Sequence, residues 1–148
     1  LRAMLTVRDL HAWYGKGHVL HGVDLDVAPG ECVALVGRNG AGRSTTLKAI
    51  MGLVQARGSA RFGDRELVGR RTVEIARLGL GYVPESRDVF PTLTVRENLL
   101  LGEQRGRGTP RWRMDDFFAL FPRLAERADT PAGVLSGGEQ QMLTLART

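Results

Sequence analysis

Lysine is nearly missing from this chain. Of 21 basic residues among 148 positions, only Lys16 and Lys48 are lysines, so the net charge of +5 is carried by arginine. The arginines are scattered, with short clusters at Arg70-Arg71 and from Arg105 to Arg113. That pattern reads as solvated surface and not as a stripe for nucleic acid or membrane. Cysteine is reduced to Cys32, which excludes a disulfide framework and any paired-cysteine zinc site. Cys32 lies in a strand-like run and is expected to be a buried thiol, as suits a reducing compartment. His11, His18 and His21 lack zinc-ligand companions and are expected to be structural or surface residues. No apolar run approaches the ~20 residues a membrane-spanning helix needs. The opening LRAMLTVRDL has no apolar core of a secretion signal, so a cytoplasmic location is expected. LRAM also reads as an arbitrary start, with Met4 the more natural one.

What is present has the mix of a globular domain, 43% hydrophobic and 25% charged. Leu5 to Leu10 reads as a short strand. Val23, Leu25 and Val27 alternate with Asp24 and Asp26, the period of a half-exposed strand, closed by a turn at Pro29-Gly30. ECVALVG, residues 31–37, is apolar without alternation and predicts a strand buried on both faces of a parallel sheet. A helix with Leu47, Ile50 and Met51 on one face follows and ends at Gly52. GSARFGDREL predicts a small hairpin, Val73 to Leu78 a helix, and LGYVP a second short buried strand. Thr94 and Glu97 have capping-box spacing ahead of a helix through Leu101. GEQRGRGTPR predicts a flexible basic loop. Asp115 to Ala128 predicts one helix with Phe117, Leu120, Phe121 and Leu124 on a face. Ser136 and Glu139 form a second capping box, opening a helix toward the end. The class expected is α/β with an antiparallel N-terminal part.

Between the run 32–36 and the helix lies GRNGAGRST, Gly37, Arg38, Asn39, Gly40, Ala41, Gly42, Arg43, Ser44 and Thr45. The frame G-x-x-x-x-G-x-[ST] suits an anion. Three glycines let the backbone curl so that successive N–H groups converge, and the helix start adds its positive end. The Ser44 hydroxyl can ligate Mg²⁺ bridging bound phosphates. The departure is Arg43, where such loops carry lysine. Arginine keeps the charge but is longer, planar and forked, so phosphate binding is expected to weaken without being erased. A bland origin, lysine drifting to arginine in an arginine-rich sequence, fits equally.

LSGGEQQ, Leu135 to Gln141, narrows the field. With GRNGAGRST at this separation it resembles the ATP-binding subunit of ABC transporters, a P-loop NTPase fold, and the likeness runs over essentially the whole chain. LHAWYGKGHVLHGVDLDVAPGE, TTLKAIMGL, GLGYVPESRDVFPTLTVRENLLLG and SGGEQQMLTLAR are most similar to the branched-chain amino-acid importer subgroup. The capped, glycine-bared helix start at Ser136, Gly137, Gly138 and Glu139 is an anion site by itself. The resemblance implies that it binds the γ-phosphate of ATP held by the opposite subunit of a head-to-tail dimer. It further implies adenine stacking on Tyr14, with Trp13 as the competing ring. Glu85 stands where most of the family has a metal-touching glutamine, so Ser44 and Glu85 are the expected Mg²⁺ contacts. Segments 86–93 and 94–135 resemble the linker and helical insert that dock on the membrane permease. The implied cofactors are ATP and Mg²⁺, and the implied site is peripheral to the inner face of the membrane.

Residues 1–93 are expected to hold the β part and phosphate-loop core, and 94–148 the helical insert and signature helix. Family members continue past the signature with a strand ending in a metal aspartate, a water-activating glutamate and a switch histidine. No matching stretch occurs in these 148 residues, so no catalytic residue is assigned. The ATPase core is expected to be incomplete, and Met142, Leu143 and Leu145 to lack their floor. Two functions remain: an importer's nucleotide-binding component, or a fragment that binds the transporter without ATP turnover. A DNA-associated ATPase is disfavoured, because the span from Ser44 to Ser136 has neither heptads nor paired cysteines. No nucleic-acid partner is expected.

Overall fold

A computed structural model describes residues 4–102 and 112–148. The chain divides after Gly81 into two compact units. The expected basic loop, apart from Gly102, lies outside the described residues.

The first unit is built on a four-stranded antiparallel sheet of order β2-β1-β3-β4. Its strands are β1 (Leu5–Tyr14), β2 (Gly17–Val27), β3 (Gln55–Phe62) and β4 (Arg65–Glu66), with helices α1 (Arg43–Ile50) and α2 (Thr72–Arg77). The expected N-terminal strands and the hairpin across Gly63-Asp64 are present, longer than alternation alone predicts. α1 packs on β1, β2 and β3. Val7, Leu10, Ala12, Leu20, Ile50, Ala60, Leu67 and Ile75 are buried in this unit. Register shifts against β2 fall between Val7 and Leu10, Leu10 and His11, and Ala12 and Trp13, and against β3 between Arg8 and His11. The first and the last of these centre on Asp9, whose φ is 46°. Its amide donates to Asp24 Oδ1 (2.7 Å). Such a bulge leaves one residue out of the ladder and bends the strand.

Glu66 ties the hairpin together. Ser59 Oγ donates to its carboxylate (2.6 Å), as do the amides of Ala60 (2.8 Å), Leu67 (3.1 Å) and Val68 (3.1 Å). Partial burial alone would raise its pKa. The bonds from Ser59 and from the amides of Ala60, Val68 and Leu67 outweigh burial and hold the carboxyl below its usual range. A depressed carboxyl contributes stability that is complete above the ordinary carboxylate range and disappears as pH falls through the folded value. Acid unfolding of this hairpin, followed by amide exchange at Ala60 and Leu67, should therefore shift in Glu66→Gln, whose stability should vary less with pH. Identical pH profiles would remove Glu66 as the cause.

Two expectations fail in residues 28–42 and 78–94. Residues 31–37 form no strand: Val36 is 86% exposed, Val33 40%, and Cys32 is exposed, not a buried thiol. Residues 80–84 are likewise irregular. An apolar run becomes a doubly buried strand only if neighbouring strands take its N–H and C=O groups and helices cover both faces. Among the described residues no strand pairs with either run. The class is α/β as expected, but the sheet formed is wholly antiparallel.

The second unit is helical. It contains α3 (Val95–Gly102), α4 (Met114–Leu120), α5 (Pro122–Ala125), a 3₁₀ turn (Ala132–Val134) and α6 (Gly137–Arg147). Both capping boxes form. Thr94 N donates to Glu97 Oε2 (2.8 Å) and Glu97 N to Thr94 Oγ1 (3.2 Å). The expected single helix over 115–128 breaks at Phe121 (φ −124°, ψ 73°). Pro122 is the cause, since it disfavours the α conformation in the residue before it and opens α5 at its first position. Of the expected face, Leu124 is buried and Phe117 and Phe121 pack on the core, but Leu120 is 58% exposed. Leu143 does have a floor: it is fully buried with Val95, Leu99, Leu124, Ala132, Leu135 and Ala146, while Met142 packs at the edge and Leu145 is exposed. The helical unit itself supplies that cover.

Candidate nucleotide site

Gly37 to Gly42 turns back on itself before α1. Ala41 N donates to the Arg38 carbonyl (3.0 Å). Gly40 and Gly42 both have φ 86°, a region that L side chains avoid. Gly42 is constrained twice, because a Cβ there would lie 2.6 Å from Leu20 Cδ2. Its carbonyl accepts from Thr46 N (2.8 Å) and Thr46 Oγ1 (2.9 Å), which seats the first turn of α1. Thr45 and Thr46 are buried; Arg43 and Ser44 are exposed at the helix start. No acidic side chain lies in that first turn, so the N–H groups and helix dipole face solvent without an internal anion. Arg43 does not reach outward. Its Nη2 donates to Asn39 Oδ1 (3.3 Å), folding the guanidinium onto its own loop.

Tyr14 ends β1 opposite Gly17 and is 48% exposed. Trp13, the competing ring, is already used: His18 stacks on it at 4.5 Å and 8°, and the Arg57 guanidinium lies 5.7 Å from its centroid. The free aromatic face in this hairpin is therefore that of Tyr14.

In the helical unit, Ser136 caps α6. Ser136 N donates to Glu139 Oε2 (2.8 Å) and Glu139 N to Ser136 Oγ (3.3 Å). The Ser136 amide and hydroxyl, then the charges of Arg127 and Arg123, hold the Glu139 carboxyl below its usual range. Gly137 and Gly138 are bare for different reasons. Gly138 faces open space, but a Cβ on Gly137 would sit 2.9 Å from Arg87 Cζ. Sequence reasoning missed Arg87; no local pattern pairs it with a residue fifty positions away. Glu85 is exposed. Ser44 and Glu85 offer hard oxygen donors of the kind Mg²⁺ takes, two protein ligands at most beside water and phosphate. They belong to different units, and no group of three or more His, Cys, Asp or Glu among the described residues could hold a metal alone.

The linker after Glu85 is pinned. Arg87 and Asp88 adopt φ 68° and 34°. The Arg87 carbonyl accepts from Thr144 Oγ1. Arg147 Nη2 donates to the Asp88 carbonyl (2.6 Å), and its guanidinium lies 5.0 Å from the Phe90 ring. Asn98, with no exposed surface, accepts from Phe90 N (2.9 Å) and donates to the carbonyls of Phe90, Leu93 and Thr94 (3.0, 3.2 and 3.0 Å). Phe90 is nevertheless 49% exposed, an apolar ring held out by a polar scaffold. Among the described residues, no helix is long and apolar enough to cross a membrane.

The sequence profile of ABC transporters matches residues 20–148, taking in both glycine-rich helix starts. The chain belongs to the ABC transporter family. It is 45% identical, over 146 residues, to the high-affinity branched-chain amino acid transport ATP-binding protein BraG of Pseudomonas aeruginosa, covering 97% of this chain and 63% of that protein. It is 37% identical to the probable branched-chain amino acid transport ATP-binding protein LivF of Archaeoglobus fulgidus, covering 97% and 61%. The chain thus spans a little under two thirds of the length of these relatives. Its fold matches a solved ATP-binding subunit of an ABC transporter with a TM-score of 0.79 at 31% identity, over 98% of this chain and 61% of the other. A nucleotide-free ATP-binding cassette matches at 0.77 and 24% identity, over 98% and 64%.

Proposed function

We propose that the chain is the nucleotide-binding part of an ABC importer's ATP-binding subunit, of the branched-chain amino-acid type. The observation that carries this is the pairing, in one chain, of a glycine-curled loop on α1 with a serine-capped, glycine-bared start on α6. The 45% identity to BraG supports the subgroup. In this reading residues 37–45 wrap around the phosphates of ATP and Tyr14 stacks on adenine. Ser136, Gly137, Gly138 and Glu139 receive the γ-phosphate of ATP from a second subunit arranged head-to-tail. Ser44 and Glu85 would hold Mg²⁺, which supplies charge neutralisation between phosphate oxygens. Residues 94–135 act as the helical insert. With 86–93 they meet the membrane permease, so the subunit works at the cytoplasmic face, without nucleic acid.

Binding without turnover is the second reading, favoured by Arg43: its guanidinium is engaged with Asn39. Arg43→Lys restores a compact charge that reaches outward. Calorimetric titration in one Mg²⁺ buffer should show ATP binding about tenfold tighter in Arg43→Lys, a change of ~1.4 kcal/mol. Equal affinities would mean that arginine serves as well as lysine. A measured rate of phosphate release separates the two readings.

The docking reading has its own test. In a complex of permease with an otherwise complete subunit, a cysteine at position 90 should cross-link to the permease. Phe90→Ala should lower transport more than ATP affinity, because the ring is not among the proposed contacts to ATP or Mg²⁺. Failure of the cross-link beside a working control elsewhere would remove Phe90 from the interface.

A further inference from the structure

One cluster lies outside this function. On the β1–β2 ladder His11 is paired with His21 and Trp13 with His18, one rung before Tyr14 and Gly17. The rings form a cluster, with His18 stacked on His11 and Trp13 and tilted against His21. His11 and His18 centroids are 5.1 Å apart, His18 and His21 4.0 Å, and Trp13 and His18 4.5 Å. Within it, His11 Nδ1 and His18 Nε2 face each other at 3.0 Å, and His11 Nε2 lies 3.0 Å from Asp9 Oδ1.

These contacts compete for protons. With Asp9 accepting the Nε2 hydrogen of His11, Nδ1 carries the lone pair and accepts a hydrogen bond from His18 Nε2–H, and a metal ion would take the place of that proton. The outcome is two imidazole nitrogens converging with one carboxylate behind. A carboxylate that holds the far nitrogen of a histidine is the usual support of a metal-ligating imidazole. The spacing fits a metal as well. At metal–nitrogen bonds of about 2.0–2.1 Å, two imidazoles at a right angle are about 2.9 Å apart and two at a tetrahedral angle about 3.3 Å. The 3.0 Å observed lies at the square-planar end, the geometry of Cu²⁺ or Ni²⁺, and Cu²⁺ heads the affinity order for nitrogen ligands.

We propose that His11 and His18, with Asp9 behind His11, form a two-imidazole clamp for a Cu²⁺-type transition-metal ion on the exposed face of the β1–β2 ladder. Water completes the coordination, since no third protein ligand is in place among the described residues. The clamp crosses the two strands and joins residues seven apart, so occupancy fixes the hairpin end. It does not depend on the nucleotide reading.

Trp13, stacked on His18, is a built-in reporter, because a paramagnetic ion at His18 quenches its fluorescence. The measurement is a Cu²⁺ titration of the whole chain in a Trp112→Phe, Cys32→Ser background, which leaves one indole and no thiol. Saturable quenching at one ion per chain is expected, reversed by excess Zn²⁺ less readily than by a chelator. Affinity should fall more than tenfold in His11→Ala and in His18→Ala. Asp9→Asn tolerates the positive φ of that bulge, and should cost about tenfold as a lost supporting carboxylate. Affinity in both histidine variants equal to that of the background chain would overturn the clamp and show an adventitious ion only. So would quenching no tighter than by a lone surface histidine. Circular dichroism of each variant checks the fold. Proton NMR of the intact chain gives an independent reading: sub-stoichiometric Cu²⁺ should broaden the His11 and His18 ring signals before any other side chain, and uniform broadening would also overturn the site.

Discussion

Gly58→Ala is expected to unfold the sheet-bearing unit or bring it to the edge of unfolding. Gly58 sits in β3 with φ 100°, and a Cβ there would collide with the Asp9 carbonyl. Asp9 cannot retreat easily: its own φ is 46°, and its amide is bonded to Asp24. A non-glycine residue in this conformation costs about 1–3 kcal/mol. Forcing backbone atoms apart adds about 1–3 kcal/mol, and the β1–β3 bonds beside the bulge are lost as well. The total of roughly 3–6 kcal/mol is comparable with the ~5–15 kcal/mol that stabilises a whole domain. Gly63→Ala is the matched control. It too has positive φ, 57°, but a Cβ there meets nothing within 4 Å, so it should cost only about 1 kcal/mol. Amide exchange along β1 and β3 reads both. Equal protection in the two variants would show that the Asp9 contact carries no energy.

Asn98→Ala should produce the largest loss in the helical unit. One fully buried amide side chain serves Phe90 N–H and three backbone carbonyls of the partly buried linker. Alanine leaves the Phe90 N–H without its acceptor, at about 1–3 kcal/mol if water cannot reach it, whereas the carbonyls of Phe90, Leu93 and Thr94 keep their bonds from the amides of Leu93, Ala132 and residue 98. With the lost bonds to the carbonyls added, about 2–3 kcal/mol is expected overall, more than the ~1 kcal/mol of one ordinary hydrogen bond. The loss has a local signature. Phe90 should become mobile, its amide should exchange fast, and Arg147 should lose its contact with Asn98 Oδ1 (3.3 Å). Leu99→Ala in the same helix serves as a packing control, since it should destabilise without freeing the Phe90 amide selectively. If Asn98→Ala leaves exchange at Phe90 unchanged, the linker is held by Arg147 and not by Asn98.

Stretches governed by near neighbours in the chain were legible before the fold was known. Thr94 with Glu97, and Ser136 with Glu139, close hydrogen-bonded boxes within four residues. The glycines of 37–42 curl for lack of a Cβ. The hairpin at Gly63 and the alternation of 23–27 need only the period of a strand. Pro122 is a local signal for a break, masked by the apolar spacing of Phe117, Phe121 and Leu124, which runs straight through it. The phosphate loop and the signature were likewise readable in order, and with them the family.

Tertiary structure decided what depends on a distant partner. Hydrophobicity could not tell whether 31–37 is a strand, since a strand exists only beside another; among the described residues none pairs with it, and Val36 and Cys32 face solvent. Leu143 looked stranded on its helix, yet Val95 and Leu124 cover it. Trp13 and Tyr14 are adjacent and equally aromatic, and only the cross-strand placement of His18 and Arg57 leaves Tyr14 the free ring. Gly137 is bare because Arg87 lies against it, and Asn98 is buried because four backbone groups converge on it. Caps, turns and periods are settled by sterics and hydrogen bonds over one to four residues, so sequence by itself determines them. Burial, pairing and shared protons are settled by whichever residues the completed chain brings within about 4 Å, and that is known only once it has folded.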